Sequence, residues 1–262
     1  MDFKLIAIDL DGTLLNSDLE ISPRAASAIQ AAEKKGVRVT LCTGRMYISA
    51  SNYARELGLN IPLVTYNGAL VKNSFDQEVL YERNLPLEEA RHVVEVCREF
   101  DCQLNVYVDD KLYVERNNDR AKRYARKVKV PLNEVDDLLD FIKMSPIKIL
   151  AMGEEEVLYK IRKRLADRKI YITRSHSYFL EMLNPEATKG KGLAAVVKNL
   201  AIDKKNVMAI GDNENDIEMF KYAGYSVAMA NADNHIKSYA DYVTKKNNND
   251  DGVAEAIEKL VL

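Results

Sequence analysis

A largely apolar run, Phe3 to Leu10, opens the chain and gives way to acidic and glycine residues, the pattern of a strand buried on both faces of a parallel sheet. A helix is predicted next: Ser22 suits the N-cap, Pro23 the first helical position, Ala26, Ile29 and Ala32 share a face, and Gly36 closes it. Val37 to Cys42 reads as a second strand, Met46 to Leu57 as a helix stopped by Gly58, and Leu63 to Tyr66 as a third strand. The rhythm returns late in the chain, with a helix over Lys191 to Leu200, a strand over Asn206 to Ile210, a helix near Glu214 to Tyr222, strands at Tyr225 to Met229 and Asp241 to Thr244, and a last helix over Gly252 to Leu260. Strand and helix alternating in this way predict an α/β fold with a doubly wound, Rossmann-like parallel sheet.

The middle of the chain has another character. A helix over Leu87 to Phe100 is followed by adjacent strands at Gln103 to Val108 and Leu112 to Glu115, and Ile170 to Thr173 with Tyr178 to Leu183 reads as an antiparallel pair around a polar turn. The expectation is a core built from residues 1–84 and 186–262, with an α+β cap domain, 85–185, inserted between its halves. A length of 262 residues is comfortable for two such units.

Composition narrows the function classes. A net charge of −2 offers no global field for nucleic acid or an anionic membrane, and the basic run Arg120 to Lys129 stands alone, followed by acidic residues, as a solvated helix would. Three cysteines, Cys42, Cys97 and Cys102, form no CxxC pair and suggest reduced thiols. The opening residues have no signal-type apolar region, and the longest uncharged stretch, Leu57 to Val71, is broken by Pro62, Asn67 and Gly68. A cytoplasmic protein with a small-molecule partner is expected, with no membrane or nucleic-acid partner; its oligomeric state is left open.

Four short segments carry candidate chemistry. Asp9-Leu10-Asp11-Gly12-Thr13 ends the first strand, and residues two apart in an extended chain point the same way, so Asp9 and Asp11 can face one site. Thr43-Gly44-Arg45 ends the second strand with a hydroxyl and backbone N–H groups able to hold an anion at a helix start. Lys189 follows Thr188 ahead of a helix, and Gly211-Asp212-Asn213-Glu214-Asn215-Asp216 packs oxygen ligands suited to a hard cation into six residues. Each has an ordinary reading too: an Asp-Gly turn, an N-cap, a solvated lysine, mutual capping of the next helix. An EF-hand starting at Asp212 is excluded by Ile217 and Ala223 at positions that need Gly and Glu, and no P-loop is present. Gly190-Lys191-Gly192-Leu193-Ala194-Ala195 fits a loose dinucleotide-binding pattern, which keeps an NAD-dependent oxidoreductase as a competing class.

The four segments in this order resemble the motifs of the haloacid dehalogenase-like superfamily of aspartyl phosphotransferases, and the long insertion resembles the type IIB cap of its Cof-like branch. Tyr66-Asn67-Gly68-Ala69, Tyr178-Phe179-Leu180-Glu181 and Val227-Ala228-Met229 are similar to the same branch. The resemblance implies a phosphatase in which Asp9 is the nucleophile and Asp11 the general acid and base. It further implies Mg²⁺ held by Asp9, Asp212 and the Asp11 backbone carbonyl, with Asp216 ordering the metal's surroundings. Leu10, Thr43, Gly44, Lys189 and Asn215 would hold the phosphoryl oxygens. Sugar phosphates are the expected substrates, with flavin mononucleotide, pyridoxal phosphate or a non-catalytic phosphosugar-binding role as alternatives. In the cap, Arg174, His176, Tyr178 and Glu181 are the candidates for contacting the leaving group.

Overall fold

The computed structural model describes residues 2–262. Five parallel strands form the first sheet, in the order Tyr242–Val243, Tyr225–Ala228, Val207–Gly211, Leu5–Ile8 and Arg38–Leu41. Leu5, Ile6, Ala7 and Ile8 are all fully buried, which is why this strand shows no apolar–polar alternation in sequence. Chain order reverses direction at Leu5–Ile8, leaving a switch point between it and Val207–Gly211, where open α/β sheets gather their ligands. Register does the rest: Ile8 lies opposite both Leu41 and Ile210, so Asp9, the Cys42-Thr43 corner and Asp212 leave the sheet side by side.

Helix Pro23–Lys34 starts as expected, with the Ser22 hydroxyl accepting from Ala25 N at 3.0 Å. It packs against Gly252–Leu260, while Lys189–Asn199 packs against Ile217–Tyr222. Lys189–Asn199 begins two residues earlier than its periodicity suggests because the Thr188 hydroxyl caps it, accepting from Lys191 N at 3.2 Å. This places Lys189 in the first turn, fully buried. Gly190 and Gly192 sit inside that helix and permit close packing: a Cβ on Gly192 would lie 3.0 Å from the Gly68 Cα, and one on Gly190 2.8 Å from the Glu218 carbonyl carbon. Their spacing therefore reflects helix contacts and not a pyrophosphate turn, which removes the basis of the dinucleotide reading.

The third strand, expected at Leu63 to Tyr66 in the parallel sheet, is Pro62–Thr65 and instead pairs antiparallel with Leu70–Asn73, which pairs with Val79–Glu82 in a separate three-stranded sheet. A single parallel bridge, Cys42 to Val64, joins it to the first sheet. The reversal occurs over Tyr66–Gly68, where Tyr66, Asn67 and Gly68 all take positive φ. A third, six-stranded sheet runs Tyr171–His176, Phe179–Leu183, Lys148–Met152, Gln103–Val108, Lys111–Val114 and Leu132–Glu134. Helices Leu87–Arg98 and Glu155–Arg164 cover one side of it around Val93, Val106, Ile149, Leu158 and Leu180. Among the described residues no helix is long and apolar enough to cross a membrane.

Candidate active site

Asp9, one residue past the end of its strand, is only 5% exposed. Lys189 Nζ donates to Asp9 Oδ1 at 2.5 Å and to Asp216 Oδ1 at 2.6 Å. The other Asp216 oxygen accepts from the backbone N–H groups of Asp212 and Asn213 at 2.9 and 3.0 Å, which bends the 211–216 loop around it. Asp212 is held from the opposite side by Thr13 Oγ1 at 2.7 Å. Gly12, at φ +82°, gives Asp212 room, since a Cβ there would stand 2.9 Å from its carboxyl carbon.

Asp9, Asp212 and Asp216 bring carboxylate oxygens within 4.8 Å of one another, three acids against one buried ammonium. Such a set is incomplete without further positive charge and fits a hard divalent cation. Titration follows the same logic. Burial pushes Asp9 well above the ordinary carboxylate range; Lys189 opposes this, while Asp216 and Asp212 add to it. Asp212 is pushed up to about 7, first by burial and then by Asp216. For Lys189 burial is the largest influence and acts downward, yet Asp216 and Asp9 outweigh it and hold the ammonium above its usual range.

Asp11 behaves differently. Arg45 Nε and Nη2 grip both its oxygens at 2.7 and 2.6 Å, a two-pronged ion pair. Burial raises the Asp11 carboxyl, but this fork outweighs it and holds the group below the usual range. Arg45 is steadied in turn by the Tyr53 hydroxyl at 3.2 Å. Thr43 Oγ1 accepts from Arg45 N at 3.1 Å, so Thr43 orders its own loop and does not cap the next helix, which starts at Tyr47 with Met46 in the cap position.

Above these groups lies a narrow cleft, partly open to solvent, with Asp9, Asp11, Thr43, Gly44 and Asn215 on its floor. Its roof comes from the six-stranded sheet and the helix Asp119–Val128: Tyr124, Lys127, Leu150, Ser175, His176 and Phe179. The four cap candidates separate here. His176 lines the cleft. Arg174 does not; its guanidinium is engaged by Glu155 at 2.9 Å and by the Ser177 carbonyl at 2.8 Å. Tyr178 stacks on His176 with ring centres 3.6 Å apart and faces a neighbouring outer cleft. Glu181 reaches the cleft wall but is 2% exposed, with Lys148 and Asn67 on Oε2 and Ser175 on Oε1. Leu10 is fully buried.

Arg45, Lys127, Lys148 and Ser175 complete the cleft lining, and Asn67 stands behind it between Glu181 and Asn215; none of these was given a site role from sequence. Arg45 follows Thr43-Gly44 directly, and Lys148 is a lone charge within the otherwise apolar stretch Ile147 to Met152.

A buried acid cluster around one lysine lies at the carboxyl ends of a parallel sheet and beneath an antiparallel one, an arrangement suited to holding a divalent cation beside an anionic ligand. Residues 6–257 match the model of the haloacid dehalogenase-like hydrolases, and the chain belongs to that family. It is 35% identical to the 5-amino-6-(5-phospho-D-ribitylamino)uracil phosphatase YcsE of Bacillus subtilis, over 100% of this chain and 97% of that protein. A haloacid dehalogenase-like hydrolase from Bacteroides thetaiotaomicron superposes with a TM-score of 0.87 at 34% identity, covering 98% and 99% of the two chains. The subclass IIB sugar phosphatase BT4131 does so with a TM-score of 0.88 at 25% identity, covering 98% of each. The protein is thus an enzyme, a phosphatase of this superfamily.

Proposed function

We propose that the protein is a Mg²⁺-dependent phosphomonoesterase that cleaves a phosphorylated sugar or related polyol through an aspartyl-phosphate on Asp9. The observation carrying this reading is the cluster of Asp9, Lys189, Asp212 and Asp216 at the floor of a roofed cleft. Asp9, Asp212 and the Asp11 carbonyl would hold the cation. Asp216 has both oxygens engaged by Lys189, Asp212 N and Asn213 N, which suits it to ordering the loop. When bound, Mg²⁺ offsets the repulsion between a carboxylate and a phosphate dianion, roughly 4 kcal/mol per unit charge pair at about 4 Å and an effective dielectric of about 20.

Asp9 attacks phosphorus and Asp11 protonates the departing alkoxide; Asp11 then takes a proton from water, which attacks the aspartyl-phosphate and releases phosphate and the Asp9 carboxylate. The Arg45 fork keeps Asp11 ionised, as the second half of the cycle needs. A phosphate dianion arriving beside it opposes Arg45 and raises the carboxyl towards the acid form. Lys189, the Thr43 hydroxyl and the N–H groups of Leu10 and Gly44, with Asn215, hold the phosphoryl oxygens.

The two named relatives share a phosphate on a polyhydroxylated carbon chain, a sugar for BT4131 and a ribityl group for YcsE, and this supports a polyol phosphate here. A second reading has its own support: the roof side chains Tyr124, His176 and Phe179 suit a leaving group that also carries a flat heterocycle. The test is phosphate release in Mg²⁺ across hexose and pentose phosphates, ribityl-type phosphates, flavin mononucleotide and pyridoxal phosphate. Highest turnover on the polyol esters, lost in Asp9→Asn, is expected. Binding of these esters without phosphate release would favour a sensing role, and preference for pyridoxal phosphate would overturn the substrate class.

A further inference from the structure

Lys148 and Glu181 stand on adjacent antiparallel strands of the six-stranded sheet, Lys148–Met152 and Phe179–Leu183. Their side chains are only 3% and 2% exposed, and Lys148 Nζ donates to Glu181 Oε2 at 2.6 Å. The same ammonium donates to the Gly44 carbonyl at 2.6 Å, in the loop after strand Arg38–Leu41, with the Tyr107 and Tyr66 rings 5.0 and 5.8 Å away. Glu181 Oε2 also accepts from Asn67 Nδ2 at 3.0 Å, and Asn67 Oδ1 accepts from Asn215 Nδ2 at 2.9 Å. Asn67 is wedged at φ +55° against Gly44, where a Cβ would come within 2.8 Å of its Oδ1.

We infer that Lys148 and Glu181 are positioning residues that complete the phosphate site when the roof closes. The inference rests on the phosphatase chemistry proposed above. A carboxylate can only accept, so Glu181 fixes the Asn67 amide with its NH₂ towards the roof and its oxygen towards Asn215. That oxygen takes one Asn215 N–H and leaves the other available to the cleft. A Gln at 181 could donate as well as accept, and the polarity of the whole chain would be lost. Lys148 has a separate task. A bare carboxylate beside a phosphate dianion would repel it, and Lys148 cancels that charge while tying Gly44 in place. Burying such a pair gains little stability over an apolar one, so its worth lies in orientation.

Lys148→Met, Glu181→Gln, Lys148→Arg and the double variant Lys148→Met/Glu181→Gln separate these tasks. Two quantities are measured on the Mg²⁺-loaded enzyme: affinity for inorganic phosphate by calorimetric titration, which needs no turnover, and kcat and KM on p-nitrophenyl phosphate. Lys148→Met unmasks the carboxylate and should weaken phosphate binding by about tenfold or more. Glu181→Gln keeps the cation, so phosphate affinity should hold within about threefold while kcat falls about tenfold or more through the misoriented Asn215. The double variant should bind phosphate better than Lys148→Met, and Lys148→Arg should keep most of the affinity. Parallel losses in the two single variants that track a fall in thermal midpoint, with no recovery in the double variant, would overturn the inference. A wild type that binds phosphate but hydrolyses no ester would instead overturn the proposed function and leave the affinity comparison standing.

Discussion

Removing the ammonium of Lys189 leaves Asp9, Asp212 and Asp216 facing one another without their buried counter-ion. Lys189 and Asp216 are fully buried and Asp9 nearly so, which leaves water little access to repair the loss. Breaking a buried ion pair from one side costs about 3–5 kcal/mol. For a chain of this size, roughly 2–4 °C per kcal/mol puts the fall in the metal-free thermal midpoint of Lys189→Ala at roughly 6–20 °C. The sign with pH is fixed by the acids. Lys189, raised above its unfolded pKa, gives its full contribution at neutral pH and loses it only in strong alkali. Asp9 and Asp212 are raised too, so their ionisation costs stability as pH climbs from about 3.9 through their folded values, about 7 for Asp212. The penalty of Lys189→Ala should therefore be larger at pH 8 than at pH 5. Turnover in Mg²⁺ should drop about 10²–10³-fold through the lost phosphoryl contact. Calorimetry at the two pH values and steady-state kinetics check both statements. A midpoint within about 2 °C of wild type together with a rate loss below about threefold would refute the reasoning.

Three further outcomes follow from the same geometry. Mg²⁺ should raise the wild-type thermal midpoint more at pH 8 than at pH 6, because Asp212, pushed up to about 7, is more fully ionised at the higher pH; equal shifts at both would contradict it. Gly12→Ala places a Cβ 2.9 Å from the Asp212 carboxyl carbon at φ +82° and should weaken Mg²⁺ activation by about tenfold or more, read from the Mg²⁺ dependence of the rate. His176→Ala should change the preference for sugar phosphate over p-nitrophenyl phosphate by about tenfold, whereas Arg174→Ala, whose guanidinium is held by Glu155 and Ser177 outside the cleft, should leave that ratio within about twofold.

The parallel sheet was legible because strands buried on both faces cannot alternate, and Leu5–Ile8 and Val207–Gly211 fall inside continuous apolar runs. Helix ends were legible where a side chain caps them, as at Ser22, and misplaced where the cap lay before the periodic residues, as at Thr188. Leu70–Asn73 and Val79–Glu82 escaped notice because they are short, partly exposed and irregular in register. Their turn at Tyr66–Gly68 then redirected Pro62–Thr65 out of the parallel sheet. Asp9, Asp212, Asp216 and Lys189 could be found because local motifs at strand and helix ends bring them together. Lys148 and Asn67 could not, since their roles depend on a roof contact spanning 104 residues of chain from Lys148 to Gly44. Arg174 and Glu181 were chosen for their chemistry near a turn, and only the three-dimensional arrangement distinguishes a side chain held outside the cleft from one committed to its wall.

The central claim, that Asp9 carries the phosphoryl group, is tested most directly by trapping it. Enzyme mixed with Mg²⁺ and a reactive phosphate ester is quenched in acid during the first turnover, digested and mapped by mass spectrometry. A phosphate adduct on the Asp9 carboxylate, missing in Asp9→Asn, is the predicted result. A first turnover that releases product with no adduct at Asp9, or an adduct on another residue, would contradict the account.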